Sequence, residues 1–530
     1  MTSPDMTDRN ELRSVTSMLR HWAAVRPDAP MFTQGPDTVS WAGLYGRAVR
    51  VAAALASSGV GPGGRVAFLD RNCVEYFEVF FGCALLGAVI VPVNWRLAPV
   101  EMAAVVDDAG AMVLVHGPEF DGAATVIRDS VPTVEASVSL AEYAGWRDAV
   151  RVATAVDPGF EPGPDDVVAQ MYTSGTTGLP KGVMISGRNM RAILDGAVEK
   201  YRVGPDTVSM VAMPLFHIGG TGWALAGMSR GGHSVIVRDV DPDAVLSVVE
   251  EHSVTGAFVV PAVLMMLLAS PRLATTDVSS LRTIFYGASP ISEDVLVRSM
   301  KALGCDFVQV YGLTETTGAI TTLGPEDHDP HGPRSHLLRS AGRPLSYVEL
   351  RIVDPATGRA LPAGAVGEIA ARSDQVMLGY WDKPDETAAV LSEDGWFRTG
   401  DAGWLSDDGY LFLHDRIKDM IVSGGENVYP AEVENALQSH PGVADAAVFG
   451  VPDDRWGETV KAVIVRAPDA VGDDDALAAD ILAATRERLA HYKCPTSIDF
   501  TEALPRNPSG KVLKRELRAP YWQDRERNIG

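Results

Sequence analysis

The feature that most constrains the fold is an alternation of short apolar strands with helical patterns, which occurs twice along the chain. In the first part, Leu44–Ala56 has helical periodicity and Val66–Leu69 resembles a buried strand, and a second helix and strand follow at Glu101–Asp108 and Met112–Val115. The alternation resumes with strands predicted at Val208–Met213, Ser234–Arg238, Gly256–Val260 and Thr283–Tyr286. Strands that alternate with helices favour a parallel sheet with crossover helices. We therefore predict an α/β fold, with layered αβα sheets in a large N-terminal domain.

Two changes of pattern predict further units. From Tyr347 to Val353 apolar and polar residues alternate, and Gly367–Ala371 is another short strand between turns, which indicates a small antiparallel β-barrel or sheet region. The charged stretch Asp415–Asp419 then precedes a compact α+β pattern. We predict a domain of residues 1–417 and a small C-terminal domain of residues 418–530, joined by a hinge at Lys418.

Charge and apolar patterning exclude several classes of partner. The formal net charge is −23, which disfavours nucleic acid or an anionic membrane as the main partner. The apolar stretch Val79–Val93 is shorter than the ~20 residues of a membrane helix and contains glycine and proline. We interpret it as a buried helix that leads into a buried strand, and we expect no integral membrane segment.

Cysteine usage fits a reducing compartment. Four cysteines are scattered without a metal-binding or paired spacing: Cys73, Cys83, Cys305 and Cys494. We expect them to behave as small buried apolar residues. A cytoplasmic location is predicted from this pattern and from the absence of a signal-peptide pattern in residues 1–30.

The strongest local signal is a Gly-rich loop, Tyr172–Val183, which follows the apolar run Val167–Met171. Glycines allow backbone N–H groups to approach an anion, hydroxyls add donors and a lysine adds positive charge. It is not a Walker A loop, because Lys181 is followed by glycine rather than by Ser or Thr. We therefore predict a phosphate-binding loop whose contributing residues are Thr173, Ser174, Gly175, Thr176, Thr177, Gly178 and Lys181.

This loop resembles the phosphate-binding signature of the adenylate-forming superfamily, and the segments Ile421–Pro430 and Pro505–Lys511 resemble those of its acyl-CoA synthetase branch. Further signatures follow in the family's order: Pro214–His217, Tyr286–Pro290, Val310–Glu315, Gly367–Glu368, Gly379–Trp381, Gly395–Asp401, Asp415–Asp419, Ser423–Asn427 and Pro508–Lys511. The resemblance covers essentially the whole chain. It implies an ATP-dependent acid:CoA ligase that forms an acyl-adenylate with release of pyrophosphate, and then acyl-CoA and AMP.

The resemblance also implies the roles of individual residues. It places the adenine against Gly287, Ala288, Ser289 and Tyr311–Gly312, where the tyrosine ring stacks on the purine. Thr314 would contact the α-phosphate, and Glu315 would hold Mg²⁺, for which carboxylate oxygen is a suitable ligand. Asp401 would bind the ribose, Arg416 would contact the nucleotide, and Thr177 in the loop would take part in catalysis.

The C-terminal signatures imply a two-step mechanism. Lys511 matches the lysine that stabilises negative charge during adenylation. Lys418 matches the hinge about which a mobile C-terminal domain rotates between the half-reactions. Gly424 and Gly425 match the loop that lines the tunnel for the CoA pantetheine.

The acid is the least constrained part. No carboxylate follows His217, so a free amino acid is a poor substrate, and by resemblance His217 borders the acyl pocket and the thiol tunnel. Small residues at Gly219, Gly220 and Gly222, and the segment Val260–Leu264, favour an apolar acyl body, whereas Val310 narrows the pocket relative to long-chain relatives. We expect a fatty or other apolar acid. An aryl or steroid side-chain acid, or loading of a carrier protein instead of free CoA, stays open, as does a homodimeric assembly.

Overall fold

The computed structural model describes residues 14–149, 155–173, 180–200, 203–289, 291–416, 419, 421–423, 426–428, 430–453, 457–489, 491–506 and 512–522. Its helices are α1 (Val15–Val25), α2 (Trp41–Ser57), α3 (Val74–Leu86), α4 (Pro99–Ala109), α5 (Asp121–Ser130), α6 (Tyr143–Asp148), α7 (Gly187–Lys200), α8 (Ile218–Met228), α9 (Pro242–His252), α10 (Pro261–Ala269), α11 (Glu293–Leu303), α12 (Pro384–Val390), α13 (Pro430–Gln438), α14 (Asp474–Arg486) and α15 (Lys514–Arg518).

The first half of the chain contributes the strands β1 (Pro30–Gln34), β2 (Asp37–Ser40), β3 (Arg65–Leu69), β4 (Val89–Pro92), β5 (Ala111–His116), β6 (Ala136–Ser139), β7 (Val167–Thr173), β8 (Lys181–Ser186), β9 (Val208–Val211), β10 (His233–Ile236) and β11 (Gly256–Val259). The remaining strands are β12 (Thr283–Gly287), β13 (Asp306–Leu313), β14 (Gly318–Leu323), β15 (Arg343–Pro344), β16 (Glu349–Val353), β17 (Gly367–Arg372), β18 (Gly379–Tyr380), β19 (Phe397–Leu405), β20 (Leu411–Arg416), β21 (Ile421–Ser423), β22 (Glu426–Val428), β23 (Val443–Asp453), β24 (Gly457–Arg466) and β25 (Ser497–Thr501).

Two large sheets form the N-terminal part. The first has nine strands in the order β15-β14-β13-β12-β11-β9-β10-β1-β2, and the second has seven in the order β18-β8-β7-β4-β3-β5-β6. Strands β9 to β13 are parallel to one another in the first sheet, as are β3 to β7 in the second. Antiparallel strands then extend each sheet, with β14 beside β13 and β8 beside β7. The predicted αβα layers are confirmed, since helices connect the parallel strands.

A buried apolar cluster fills the space around helices α2, α3 and α8 and both sheets. Its largest fully buried members include Trp41, Tyr76, Phe77 and Phe285. The interpretation of Val79–Val93 is confirmed, because α3 is buried along nearly its whole length and leads through Gly87 into the buried strand β4. Within the part of the chain that is described, no helix combines the length and the apolar character that a bilayer crossing requires.

The small antiparallel region and the C-terminal unit also correspond to the expected patterns. Strands β16, β17, β19 and β20 form a four-stranded antiparallel sheet, which is the region predicted as a small barrel or sheet. The last sheet has the order β22-β21-β24-β23, with β25 added parallel to β24, and packs α13 and α14 into an apolar core of its own. The domain boundary at residues 417 and 418 falls outside the described residues and stays a prediction.

The cysteines are placed as expected. Cys73, Cys83 and Cys494 are buried and Cys305 is partly buried, and none is in a disulfide. Burial raises the pKa of all four thiols, and for Cys305 the value is about 12. They are therefore thiols rather than thiolates at neutral pH.

Candidate active site

One cleft of about 2780 Å³ runs along the carboxyl ends of strands from both large sheets. In open parallel sheets this edge is where ligands bind, because the strand-to-helix connections leave a crevice there. The described residues that the sequence predicted as functional and that line this cleft are Thr173, Lys181, His217, Gly287, Ala288, Ser289, Tyr311, Gly312, Thr314, Glu315 and Asp401. They come from segments more than 200 residues apart in the chain, from Thr173 to Asp401.

Other predicted residues are not located in this way. Ser174, Gly175, Thr176, Thr177, Gly178, Lys418, Gly424, Gly425 and Lys511 lie outside the described residues. Arg416 ends strand β20, where its backbone pairs with Asp401 on β19. That pairing brings the two predicted nucleotide contacts to neighbouring positions of one antiparallel ladder.

The Gly-rich loop connects an antiparallel hairpin. Thr173 ends β7 and pairs with Lys181 at the start of β8, so the two described ends of the Gly-rich segment lie side by side at the cleft. Tyr172 anchors the base of the hairpin, since its hydroxyl donates a hydrogen bond to Asp108 Oδ2 at 2.7 Å. The ammonium group of Lys181 lies over the ring of Tyr380 at 4.9 Å from its centroid, a cation–π contact.

A short turn presents Thr314 and Glu315. The hydroxyl of Thr316 donates to backbone carbonyls of Leu313 and Gly318, and the backbone N–H of Leu313 donates to it. Gly312 is required here, because a Cβ at this position would lie 1.9 Å from the carbonyl oxygen of Gly318. The turn is therefore fixed by backbone crowding and by a buried hydroxyl.

Glu315 connects the two sheets across the cleft. Its Oε1 accepts a hydrogen bond from the Tyr380 hydroxyl at 3.0 Å, and its carbonyl accepts one from the N–H of Met377 at 2.8 Å. Tyr380 belongs to β18, which pairs with β8 of the second sheet, whereas Glu315 follows β13 of the first. Within the described residues, Glu315 Oε2 makes no hydrogen bond.

The shelf formed by Gly287 and Ala288 has a backbone that only small residues tolerate. A Cβ on Gly287 would lie 2.1 Å from the carbonyl oxygen of Val310, and Ala288 has a φ of +64°. The Tyr311 hydroxyl donates to Asp401 Oδ2 at 2.8 Å, which orients both the ring and the carboxylate. The shelf and this bonded pair line the same cleft.

An apolar limb of the cleft lies between α8, α10 and the first sheet. Small residues on one face of α8 line it together with three aromatic rings, and the members are Gly219, Gly222, Ala226, Trp223, Phe258 and Phe285. Trp223 is fixed by a hydrogen bond from its Nε1 to the Met210 carbonyl at 3.0 Å and by the Phe285 ring at 5.0 Å between centroids. Gly220 does not line the limb, because its Cα packs against the Pro214 carbonyl, where a Cβ would come within 2.3 Å.

His217 lies between this limb and the polar part of the cleft, immediately before α8. Loss of hydration, together with the positive charge of Arg96, lowers the pKa of His217 to about 4. Its imidazole is therefore neutral at physiological pH and can donate one hydrogen bond and accept another.

Several contributors were not predicted as site residues from the sequence. Tyr380 belongs to the Gly379–Trp381 signature, which supplied a signal that was not assigned a role. Gln375 has no such signal in the sequence. Its side-chain amide donates to the carbonyls of Thr316 and Ala319, which stabilises the turn that contains Glu315. Its role depends on a contact across 59 residues of sequence.

The fold and the cleft together define an α/β enzyme that binds a nucleotide at the carboxyl ends of its strands. Comparison with known proteins specifies the family: residues 19–381 match the model of the AMP-binding enzyme and residues 432–511 that of the AMP-binding enzyme C-terminal domain. The chain belongs to this adenylate-forming family, in its acyl-CoA synthetase branch, and is an ATP-dependent acid–thiol ligase.

Individual relatives cover nearly the whole chain. It is 40% identical to a fatty acid–[acyl-carrier-protein] ligase, ScoC, of Streptomyces coeruleorubidus, over 99% of this chain and 100% of that protein. It is 41% identical to a feruloyl-CoA synthase of an Amycolatopsis species, over 94% of this chain and 97% of that protein. Among solved structures, a Mycobacterium tuberculosis fatty acyl CoA synthetase superimposes with a TM-score of 0.77 at 32% identity, covering 97% of this chain and all of that chain.

The low pKa of His217 gives a direct prediction. In an NMR titration of protein labelled with ¹³C-histidine, the His217 signal, assigned by its loss in His217→Gln, is expected to keep its neutral position down to about pH 5. It should then move with a midpoint near 4. A His217 midpoint of about 6 to 7, the ordinary range for an imidazole, would contradict the assigned environment.

Proposed function

We propose that the enzyme activates a fatty or other apolar carboxylic acid as its acyl-adenylate and transfers the acyl group to the thiol of CoA. The observation that carries the proposal is the apolar limb of Gly222, Ala226, Trp223 and Phe258, which opens at His217 into the polar part of the cleft. An apolar pocket of this kind gains binding free energy from a hydrophobic acyl body, and the few polar groups at its mouth orient the carboxylate.

In the first half-reaction, a carboxylate oxygen of the acid attacks the α-phosphorus of ATP and pyrophosphate leaves. We assign the adenine to the shelf of Gly287 and Ala288 against Tyr311, and the ribose to Asp401. The support is that the Tyr311–Asp401 hydrogen bond holds a ring face and a carboxylate on the same wall of the cleft. Phosphates would then lie toward Thr314, Lys181 and the hairpin loop, where hydroxyl and ammonium groups can neutralise their charge.

Glu315 fits a site for Mg²⁺. The ion prefers oxygen ligands and is usually held by one or two carboxylates together with substrate phosphates. The Glu315 carboxylate faces the cleft, and its Oε1 is already oriented by Tyr380. When bound, Mg²⁺ would reduce the negative charge on the phosphates.

In the second half-reaction, the thiol attacks the acyl carbonyl and AMP leaves. We assign His217 to the junction where the thiol meets the acyl group. Because its imidazole is neutral, it can orient the thiol or the carbonyl by a hydrogen bond without adding a charge to an apolar limb. Rotation about Lys418 and a thiol tunnel at Gly424–Gly425 remain predictions from the resemblance.

An aryl acid is the second candidate substrate, and two observations favour it. Three aromatic rings, from Trp223, Phe258 and Phe285, surround the limb, and such rings stack or pack edge-on against an aromatic acyl group. Val310 also lines the cleft beside Gly287, so its side chain takes up space that a longer acyl chain would need. One curated relative, the feruloyl-CoA synthase, is named for an aryl acid.

The test is a survey of carboxylic acids against two acceptors. Purified protein is incubated with ATP, Mg²⁺ and one acid, taken from a series of fatty acids of increasing length or from a set of aryl acids. Each acid is tested once with free CoA and once with a phosphopantetheinyl carrier protein, and the release of AMP is measured. We expect acid-dependent AMP release with CoA and apolar acids. If AMP is released with the carrier protein but not with free CoA, the carrier protein is the acceptor. Selective turnover of cinnamic-type acids would favour the aryl candidate.

Lys511→Ala is expected to separate the two half-reactions. Loss of the adenylation lysine should nearly abolish acid-dependent exchange of pyrophosphate into ATP but spare thioester formation from supplied acyl-adenylate, since the cation acts only in the first step. Lys301→Ala, which removes an exposed lysine on α11, is the matched control. Equal losses in both half-reactions would reject the assignment of Lys511.

Val310→Gly is expected to change acid selectivity. Removing the Val310 side chain should deepen the apolar limb of the cleft. The kcat/KM for acids about two carbons longer than the best acid of the wild type should then rise roughly tenfold relative to that acid. Val310→Ala should give an intermediate shift, and the KM for ATP serves as the internal control. Selectivity that is unchanged in both variants would show that Val310 does not bound the acyl group.

A further inference from the structure

Leu215, two residues before His217, has both of its backbone polar groups held by side chains. Its N–H donates to Asn72 Oδ1 at 3.0 Å, and its carbonyl accepts from the Thr221 hydroxyl at 2.7 Å. A loop residue normally satisfies these groups with neighbouring backbone or with water. Here the contacts span 143 residues of sequence on one side and six on the other.

Asn72 uses its whole amide for this segment. Besides accepting from Leu215, its Nδ2 donates to the carbonyls of Ala212, Met213 and Val237 at 3.1 to 3.3 Å. Asn72 lies between β3 of the second sheet and α3, whereas Ala212 and Val237 follow β9 and β10 of the first sheet. One buried amide therefore fixes the exits of two strands in one sheet to the end of a strand in the other.

Tyr76, in the first turn of α3, completes the arrangement. Its hydroxyl lies 2.8 Å from Thr221 Oγ1. Because the Thr221 proton is already donated to Leu215, the Tyr76 hydroxyl must be the donor in this pair. The side chains of Tyr76 and Thr221 are 1% and 0% exposed, so no bulk water replaces these bonds if one is removed.

The consequence of these contacts falls on Phe216 and His217. The His217 carbonyl accepts from the N–H groups of Gly220 and Thr221 in the first turn of α8, and the His217 N–H donates to the carbonyl of Pro214. Asn72 and Thr221 thus fix Leu215 inside the turn that the Pro214–His217 backbone bond closes. His217 ends this turn and lines the cleft. The path from Asn72 and Tyr76 to His217 runs through the buried residues Thr221 and Leu215 and through the backbone hydrogen bonds of this turn.

We propose that Asn72, Tyr76 and Thr221 are positioning residues that set the place of His217 between the acyl limb and the incoming thiol. None of them lines the cleft, so we expect none of them to contact the acid or the nucleotide. Their effect passes through the Leu215 backbone. The proposal rests on the role given to His217 under the proposed function. It predicts that variants of these residues bind the acid more weakly and transfer the acyl group more slowly, but bind the nucleotide as the wild type does.

Thr221→Val tests the proposal. Valine keeps the shape of threonine, but leaves the Leu215 carbonyl and the Tyr76 hydroxyl without their partner. We expect the rate of thioester formation from supplied acyl-adenylate to fall about tenfold or more, because small displacements of a reacting group are costly. The KM for the acid should rise and the KM for ATP should stay within twofold. Thr221→Ser keeps the hydroxyl and should restore most of the acyl-transfer rate.

A purely structural role for Thr221 would produce a different pattern. It would lower the thermal midpoint and the fraction of active enzyme, and both half-reactions would then decline by the same factor with every KM unchanged, which would overturn the proposal. If Thr221→Val does not fold, Tyr76→Phe provides the milder variant, since it removes one hydroxyl and keeps the ring packing. It should reduce acyl transfer in the same direction by a smaller factor, and an unchanged ratio of the half-reactions would overturn the proposal.

His217→Ala distinguishes this inference from the function on which it rests. If His217→Ala leaves the ratio of thioester formation to pyrophosphate exchange unchanged, the role proposed for His217 fails and the positioning proposal fails with it. If His217→Ala lowers that ratio but Thr221→Val does not, His217 retains its role and the positioning proposal alone is rejected.

Discussion

The cleft depends on the contact between Glu315 and Tyr380, which joins the ends of the two large sheets. Each sheet is stabilised by its own parallel ladder and by the helices that cover it, and neither ladder alone defines the distance between their edges. The Tyr380–Glu315 hydrogen bond and the backbone bond from Met377 to Glu315 fix that distance where the predicted phosphate and metal ligands meet. Because Lys181 lies over the same Tyr380 ring, one aromatic side chain orients a carboxylate and a cation together.

The outline of the fold was predictable because it depends on local patterns. The helix at Leu44–Ala56 and the strand at Val66–Leu69 appear within a few residues of their predicted ends, as Trp41–Ser57 and Arg65–Leu69. Candidate residues for nucleotide binding could be selected from the sequence for a related reason: signatures such as Val310–Glu315 carry their glycines and carboxylate in one short segment. The structure brings those described segments to a single cleft, whereas their individual roles still await the experiments above.

The supporting contacts were not predictable from the same sequence. Asn72, Tyr76 and Gln375 are ordinary residues in their local contexts, and no spacing or composition distinguishes them. They matter because each forms a hydrogen bond to a group far away in the chain, such as Asn72 with the Leu215 backbone across 143 residues and Tyr76 with the Thr221 hydroxyl across 145. Gly220 illustrates the opposite error: its small size indicated space for an acyl group, but the structure uses that space for the backbone of Pro214.

The burial of the four cysteines has a chemical consequence for an enzyme that handles activated acyl groups. An acyl-adenylate reacts with thiolates, and a thioester exchanges its acyl group with them, so an exposed low-pKa cysteine near the cleft would compete with the acceptor and become acylated. Cys73 and Cys83 are shielded in the core and Cys305 has a pKa near 12, so almost none of these sulfurs is ionised at neutral pH. The protein's own thiols therefore do not compete with the acceptor thiol for the activated acyl group.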